Sequence, residues 1–355
     1  MTHSSISIES ECSATSRSNS DLCDCSSLEG SVSLPKRATY SDFSRNGNRG
    51  IVSEGDSLWC AEYAQDIFSY LRRIENTRRA IMYRSPQIYY RASLIALIKR
   101  IAETEKLGRT TVHLAVYMLD VFMDTYKIVT TKLNLVAFVC LLVAAKIEER
   151  DQNIPKICTL NSYTNDQYTR TDFKSLERMI LSFFNWAVLV PTTATFIESY
   201  VHDSVTSEEI PESLLKCEFG HSSRMEPEEC AIKNVSDTCK SLVLEFLEVT
   251  LCERRLVHVK PSLLSAACLA ASRKLCGINT IWPQRLQTLT AYSYEMLQEY
   301  VESLLCLRNY QNQKSIEKVK RTPDSGCITD SGSETPHDED DFQYPLPVKK
   351  QRLTY

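Results

Sequence analysis

The sequence predicts an all-α protein with two consecutive helical domains. Only 9 of the 355 residues are glycine, and apolar residues at helical spacing dominate residues 86–307. One apolar helix also has a counterpart 128 residues later in the chain. An all-β fold, or one built on glycine-rich loops, would need more glycine. The 43% hydrophobic content is sufficient for two cores.

The first ordered element is predicted near Ser57. Residues 1–55 are rich in serine and lack periodicity, so we expect this arm to be disordered. Residues 56–80 are predicted to contain an N-terminal helix, for which Ser57 is a candidate N-cap. The expected apolar face of this helix consists of Leu58, Tyr63, Ile67, Tyr70, Leu71 and Ile74.

The most informative element is the apolar run at residues 136–145, which ends at Lys146. A helix that is apolar on all sides belongs at the centre of a bundle. The run is shorter than the about 20 residues of a membrane span. We therefore predict a core helix whose charged end emerges at the surface, and we expect no membrane partner.

The pattern of this helix recurs in the second half of the chain. Lys132, Leu135, Cys140, Leu141 and Lys146 match Lys260, Leu263, Cys268, Leu269 and Lys274. Two similar domains explain the match, and a chance likeness of two apolar helices is the alternative. We place the domains at residues 81–190 and 191–310, with a polar loop at 203–230, and we expect residues 311–355 to be a disordered tail.

Composition and motifs argue against several function classes. A net charge of −4 does not favour a nucleic-acid partner. The sequence contains neither a glycine-rich phosphate loop nor a clear catalytic triad, so we do not expect an enzyme. No cofactor is expected. Cys217, His221, Cys230 and Cys239 lack a close Cys-x-x-Cys pair, so we predict no metal site.

The 14 cysteines and the absence of an apolar leader predict a cytoplasmic or nuclear protein with reduced thiols. The basic residues Lys349, Lys350 and Arg352 favour the nucleus, although a short basic end without a targeting role fits equally well.

Several separated segments resemble the cyclin family. Residues 90–97, 113–122 and 142–149 are similar to the first cyclin box, and their spacing matches that of cell-cycle cyclins. Residues 191–192, 260–263 and 282–283 resemble the second box, and the helix around Tyr63 resembles the N-terminal helix. The resemblance covers residues 57–307. It implies two five-helix bundles after a helix, and a regulatory subunit that activates a cyclin-dependent serine/threonine kinase in cell-cycle progression.

The resemblance also implies a kinase-binding surface. Lys146 and Glu177 match a family pair beside the mobile C-helix of the kinase, and the matching apolar positions are Val143, Ile147, Leu181 and Trp186. The alternative is a plain surface ion pair worth about 0–1 kcal/mol.

Arg91 and Asp120 match an internal pair with a structural role. Some cyclins also dock basic-leucine peptides in a groove, which here corresponds to Tyr90, Leu94, Leu97, Arg100 and Leu133, with Ser93, Thr130 and Asn134. Arg100 stands where that pattern has glutamate, and Ser93 and Leu97 also depart from it. We therefore expect an altered groove that does not prefer basic peptides.

The tail contains two Asp-Ser-Gly-x-x-Thr segments that resemble phosphodegrons read by a ubiquitin-ligase adaptor. Their candidate phosphorylation sites are Ser325, Thr329, Ser331 and Thr335. An ordinary acidic, serine-rich tail is the alternative.

Two other functions remain open at the level of sequence. One is a transcription-factor-like protein that grips DNA between its two bundles, and the other is a cyclin-fold adaptor that binds a kinase without activating it.

Overall fold

The computed structural model describes residues 63–201, 204–211 and 227–320. In this part of the chain the regular elements are helices. They are α1 (Ala64–Glu75), α2 (Arg91–Glu105), α3 (Arg109–Thr125), α4 (Leu133–Glu148), α5 (Ile157–Ser162), α6 (Arg170–Phe183), α7 (Thr193–Tyr200), α8 (Pro227–Cys252), α9 (Pro261–Leu275), α10 (Gln284–Thr290) and α11 (Tyr294–Lys320). One helix thus precedes two sets of five, which confirms the predicted fold class.

Helix α4 is the centre of the first bundle. Residues 135–145 are all buried, and the helix packs against α2, α3 and α6. Among the described residues, the segment Thr130–Glu148 meets the length and hydropathy of a membrane span, because the 3₁₀ turn at 130–132 and three residues at each end of the apolar run extend it to 19 residues. Length alone therefore does not exclude a span, contrary to our expectation. A core helix also meets these criteria, and 67% of its apolar window is buried in the bundle.

Helix α9 occupies the equivalent place in the second bundle. Cys140 in α4 and Cys268 in α9 are both fully buried. The small residues of α9 let neighbouring helices approach. Two of its buried serines bond to their own helix: Ser265 donates to the carbonyl of Pro261 at 2.6 Å, and Ser272 to that of Cys268 at 2.8 Å. One position departs from the repeat, because Ala145 of α4 corresponds to a fully buried Arg273 in α9.

Helix α1 packs against α9 through a face that shares Leu71 with the predicted one but is centred on Phe68. Phe68 is buried and makes an edge-on contact with Phe196 at 5.9 Å, whereas Tyr63 and Tyr70 are 65% and 41% exposed. The buried carboxylate of Glu75 accepts hydrogen bonds from the backbone N–H and the hydroxyl of Ser262, at 3.1 and 2.7 Å. A mixed spacing of three and four residues fits either face, and tertiary packing selects the face that contains Phe68.

Three predicted boundaries differ from the structure. Helix α1 ends at Glu75, where the side chains of Asn76 and Thr77 bond to carbonyls of its last turn, instead of near residue 80. Helix α8 begins at Pro227, inside the predicted loop, and α11 continues to Lys320, inside the predicted tail. Residues 311–320 contain no proline or glycine, so nothing in their composition stops the helix.

Several predictions fall on residues outside the described part. These are the arm at 1–55 with Ser57 and Leu58, the candidate metal ligands Cys217 and His221, and the tail segments with the phosphorylation sites and the basic end.

A cavity of about 490 Å³ lies between the two bundles. His113 of α3 lines it and is only 7% exposed, and its Nε2 atom has no hydrogen-bond partner among the residues that the structure describes. Burial and the positive charges of Arg78, Arg109 and Lys99 lower the pKa of His113 to about 3. The imidazole is therefore neutral in the folded protein at neutral pH.

His113 is expected to make stability depend on pH. Because its pKa is lowered on folding, the unfolded chain takes up the proton first, so stability is lost as the pH falls below about 6.5. At pH 5 the loss is about 2 kcal/mol. Urea unfolding at pH 7 and pH 5 measures it, and His113→Gln should remove about that part of the difference. An unchanged pH dependence in the variant would contradict this assignment.

Candidate functional site

The candidate site lies where the C-terminal end of α4 meets α6. Lys146 of α4 and Glu177 of α6 are brought together, with their Nζ and Oε1 atoms 2.5 Å apart. Their side chains are 46% and 18% exposed, so the pair is open to solvent and to a partner. Such a pair contributes little to folding by itself.

The packing of α4 on α6 fixes the position of this pair. Phe138 and Phe173 stack between the two helices with parallel rings 6.3 Å apart. Helix α6 begins with a capping box, in which the backbone N–H of Thr169 donates to Asp172 and the N–H of Asp172 donates to Thr169. At this opposite end of the interface, Lys132 pairs with Asp172 at 3.3 Å. The pair between Lys146 and Glu177 therefore lies on a rigid two-helix platform.

Apolar side chains border the pair, with one correction to the sequence-based set. Ile147 and Leu181 are half-buried and pack against the core of the first bundle. Val143 is only 2% exposed, so it supports the surface from beneath and does not offer a contact to a partner. This is because every side of α4 is enclosed before its last turn.

Trp186 projects from the turn that follows α6. It is 67% exposed, and it follows Asn185 with both residues in the left-handed backbone region, at φ +61° and +51°. The backbone N–H of Trp186 donates to the carbonyl of Leu181 at 2.8 Å, which satisfies the end of the helix. Two successive non-glycine residues in this region are costly, so the turn holds the indole outward at the expense of backbone strain.

Arg79 supports this turn from below. Its guanidinium donates to the carbonyl of Phe183 at 2.6 Å and lies 4.3 Å from the ring centroid of the same residue. Arg78, beside it, donates to the carbonyl of Pro191. The sequence analysis did not identify either arginine. The only pattern that could have pointed to them is two successive arginines in a short link between two helices.

The surface that the family resemblance predicts to bind a kinase is formed by Lys146, Glu177, Ile147, Leu181 and Trp186, and we call it the kinase-facing surface. Glu149 closes the end of α4 beside it. Glu149 is buried and accepts hydrogen bonds from the N–H of Gly108 and the hydroxyl of Thr111, at 2.5 and 2.8 Å. A carboxylate at the N-terminus of α3 is favourable to the helix dipole. The end of α4 is thereby tied to α3 and is not free to move.

Arg91 and Asp120 form a buried, two-pronged pair at 2.8 and 2.9 Å. Arg91 also donates to the carbonyls of Leu251 and Cys252, at 3.1 Å each, at the end of α8. The pair therefore joins the first bundle to the second, in addition to the internal role expected from the sequence.

The residues of the predicted peptide groove lie on α2 and at the start of α4. Leu94 and Leu133 are 3% exposed and belong to the core, Leu97 is half-buried, and Tyr90 and Arg100 lie at the surface. The guanidinium of Arg100 lies over the ring of Tyr163, 5.4 Å from its centroid. A cation therefore occupies the end of the groove where a basic peptide would need an anion.

We expect a basic-leucine peptide to bind this groove weakly, and Arg100→Glu to strengthen binding about tenfold by reversing the local charge. Fluorescence anisotropy with a labelled peptide measures this. Lys174→Glu, the same charge change on α6, should have little effect. Tight binding to the unmodified protein that is lost in Leu97→Ala would contradict the expectation.

Comparison with known proteins identifies the family of the chain. The family model for the cyclin N-terminal domain matches residues 66–189, and the model for the cyclin C-terminal domain matches residues 224–330. The chain belongs to the cyclin family. Residues 113–126, 191–200 and 282–297 predict cyclin J in particular, and the similarity to cyclin J is confirmed.

Cyclin-J of Xenopus laevis is 34% identical over 252 residues, which cover 70% of this chain and 62% of that protein. Cyclin-J of Homo sapiens is 33% identical and covers 70% and 61% of the two chains. G2/mitotic-specific cyclin-A of Spisula solidissima is 29% identical, with 74% and 57% covered. The chain thus matches about three-fifths of the length of these cyclins.

The viral cyclin of herpesvirus saimiri has a similar solved structure. The TM-score is 0.50 at 15% identity, over 68% of this chain and 96% of that one. This likeness shows the cyclin fold.

Proposed function

We propose that this cyclin is the regulatory subunit of a cyclin-dependent serine/threonine kinase, which it binds and activates through the kinase-facing surface. The observation that carries the proposal is an exposed tryptophan on a strained, supported turn, beside a Lys–Glu pair on a rigid platform. An enzyme active site is not part of the proposal, since the activity belongs to the partner.

The surface can supply the energy that such a switch requires. A kinase is active when its C-helix glutamate pairs with the strand lysine, so a protein that binds only this inward helix position shifts the population to the active form. A change from 1:99 to 99:1 takes about 5.5 kcal/mol of differential affinity. Burying the exposed two-thirds of Trp186 contributes about 3 kcal/mol of this.

Ile147 and Leu181 extend the apolar contact on either side of the ion pair. Lys146 and Glu177 fix the register of the interface and reject wrong partners, as charged groups at interfaces do, and they contribute to affinity once the partner buries them. Their hydrogen bond pre-orders both side chains before a partner arrives.

Capture of the full chain from cells tests the proposal. Associated kinases are identified by mass spectrometry, and phosphorylation of a serine/threonine peptide is measured in the eluate. Trp186→Ala should lose both kinase and activity, whereas Tyr89→Ala, a similarly exposed aromatic residue outside the surface, should keep both.

Retention of the kinase by Trp186→Ala would refute the proposed surface. Capture of a kinase that stays inactive would indicate the adaptor function instead. Retention of the protein on heparin or DNA at physiological salt would favour the transcription-factor-like alternative, and we expect none.

We also propose that the tail recruits a ubiquitin-ligase adaptor once Ser325, Thr329, Ser331 and Thr335 are phosphorylated, in a protein that is mainly nuclear. Deletion of residues 321–355 should then lengthen the half-life of the protein after translation is blocked. An unchanged half-life would refute the proposed role of the tail.

A further inference from the structure

The cavity between the two bundles is lined by parts of four helices. The first bundle contributes the end of α2 and the start of α3, and the second contributes one face of α7 and one of α8. The apolar side chains from the second bundle are Ala194, Ile197, Val201, Leu244 and Leu247. At about 490 Å³ the cavity has the size of a pocket for a small organic molecule. No residue of the kinase-facing surface lines it, so a ligand here would not touch the site of the proposed function.

One polar atom at this cavity lacks a partner. His113 of α3 is only 7% exposed, and none of the described residues forms a hydrogen bond with its Nε2 atom. The imidazole is neutral at neutral pH, so each ring nitrogen is either a donor or an acceptor. His113 also borders a second cavity, but that one, at about 60 Å³, is too small for an organic ligand. A buried polar atom without a partner is unfavourable, so the larger cavity favours a ligand with one group that bonds to this nitrogen.

The start of α3 offers a place for a negative charge in the same cavity. The helix begins after Gly108 without a side-chain cap, and its first turn contains no acidic residue. No described residue accepts a hydrogen bond from the backbone N–H groups of Arg109 and Thr110, and both residues line the cavity. Lys106 and Arg109 add two exposed positive charges at this point. Free N–H groups and the positive end of a helix dipole together favour an anion.

The acidic side chains of the lining do not cancel this positive charge. Glu248 is already paired with Lys99 at 2.6 Å. Burial raises the pKa of Glu198 well above its usual range, so this carboxyl favours its uncharged form. One exposed glutamate, Glu103, then remains against three cationic residues of the lining. The balance of charge at the cavity is therefore positive.

We propose that this cavity binds a small aromatic carboxylate, with the carboxylate at the start of α3 and a polar ring group on His113. Arg109 and His113 lie four residues apart on one face of the helix, about 6 Å along its axis, a distance that one small molecule spans. The apolar wall from α7 and α8 then receives the ring. Glu149 accepts a hydrogen bond from the N–H of Gly108 beside this site, so a second negative charge would be repelled. A carboxylate therefore fits better than a doubly charged phosphate.

Calorimetric titration of the full chain with three probes tests the proposal. Indole-3-acetate has both a carboxylate and a ring N–H, 1-naphthaleneacetate lacks the N–H, and indole-3-ethanol lacks the carboxylate. We expect one molecule of indole-3-acetate to bind per chain, and each of the other two probes to bind about tenfold more weakly because one polar contact is lost. No binding of indole-3-acetate at concentrations up to about 1 mM, or equal binding of all three probes, would overturn the proposal.

Two variants and a control place the ligand in the cavity. Arg109→Gln should weaken the binding of indole-3-acetate about tenfold and leave that of indole-3-ethanol unchanged. Arg170→Gln is the matched control, because Arg170 is the first residue of α6 as Arg109 is of α3, and it should change neither affinity. Leu244→Trp should abolish binding of all three probes by filling the cavity. An unchanged affinity for indole-3-acetate in Arg109→Gln would contradict the proposal, whether or not Leu244→Trp folds.

Discussion

Replacing Lys146 and Glu177 together by alanine is expected to weaken kinase binding about 100-fold while leaving the fold intact. A loss of about 2.7 kcal/mol is the size found for central charged contacts that become buried at an interface. The folded chain itself loses little, because both side chains are partly exposed and the pair is worth about 0–1 kcal/mol to stability.

The single replacements sharpen this prediction. In Lys146→Ala, Glu177 loses the cation that lies 2.5 Å away, and in a complex its carboxylate would be buried without a partner. Each single variant should therefore bind about as weakly as the double variant, so that the effects are not additive. Titration of the purified kinase by surface plasmon resonance or calorimetry measures all three.

Lys132→Ala is the matched control. Lys132 is the N-cap residue of the same helix and pairs with Asp172 of α6 at 3.3 Å, with 33% of each side chain exposed. It differs from Lys146 mainly in lying at the other end of the platform. Unchanged binding in Lys132→Ala with a loss in Lys146→Ala supports the surface. An equal loss in both would show that the helix pair, and not the surface, was affected.

The centre of the fold could be predicted from the sequence because its physical signal is local. Residues 136–145 are apolar on every side, and a helix of this kind is buried at the centre of a bundle, where the structure places it. The repeat at Cys140 and Cys268 likewise corresponds to two equivalent, fully buried positions.

The site was less accessible to pattern reasoning. Lys146 and Glu177 are 31 residues apart, and only the resemblance to the cyclin family brought them together before the structure did. Val143 was assigned to the surface through the same resemblance, which does not report how far neighbouring helices enclose a side chain in this protein. The face of α1 was misjudged for a related reason, since Phe68 is selected by the rings of Phe196 and Tyr200 in a distant helix.

Arg273 could have been identified from the sequence by comparing the two copies of the repeat. Arg273 lies in a helix rich in serine and alanine, at the position where the first copy of the repeat has Ala145. A buried cation in a core position requires several hydrogen-bond or ion-pair partners. Comparing the two copies position by position would have singled it out. Its partners could not be named, because they come from two loops with no pattern of their own.

Replacing Arg273 by methionine is expected to destabilise the protein by about 3–5 kcal/mol. The guanidinium is fully buried and donates to the carbonyls of Ile281 and Thr280, at 2.8 and 2.6 Å, and to that of Ser204. It also pairs with the carboxylate of Glu209 at 2.9 Å. Methionine fills much of the space but leaves these acceptors without their donors, and unsatisfied buried acceptors are costly.

Arg285→Ala is the matched comparison, because Arg285 binds the same carboxylate at 2.6 Å with its side chain 31% exposed. Water can replace a partly exposed donor, so this variant should lose no more than about 1 kcal/mol. Urea unfolding at pH 7 measures the free energy of unfolding for both. Similar losses of unfolding free energy in the two variants would mean that the carboxylate of Glu209 needs only the combined positive charge of the two arginines. A much larger loss for Arg273→Met would mean that the loop carbonyls depend on this one guanidinium, and that Arg273 holds residues 204–209 and 280–281 against α9.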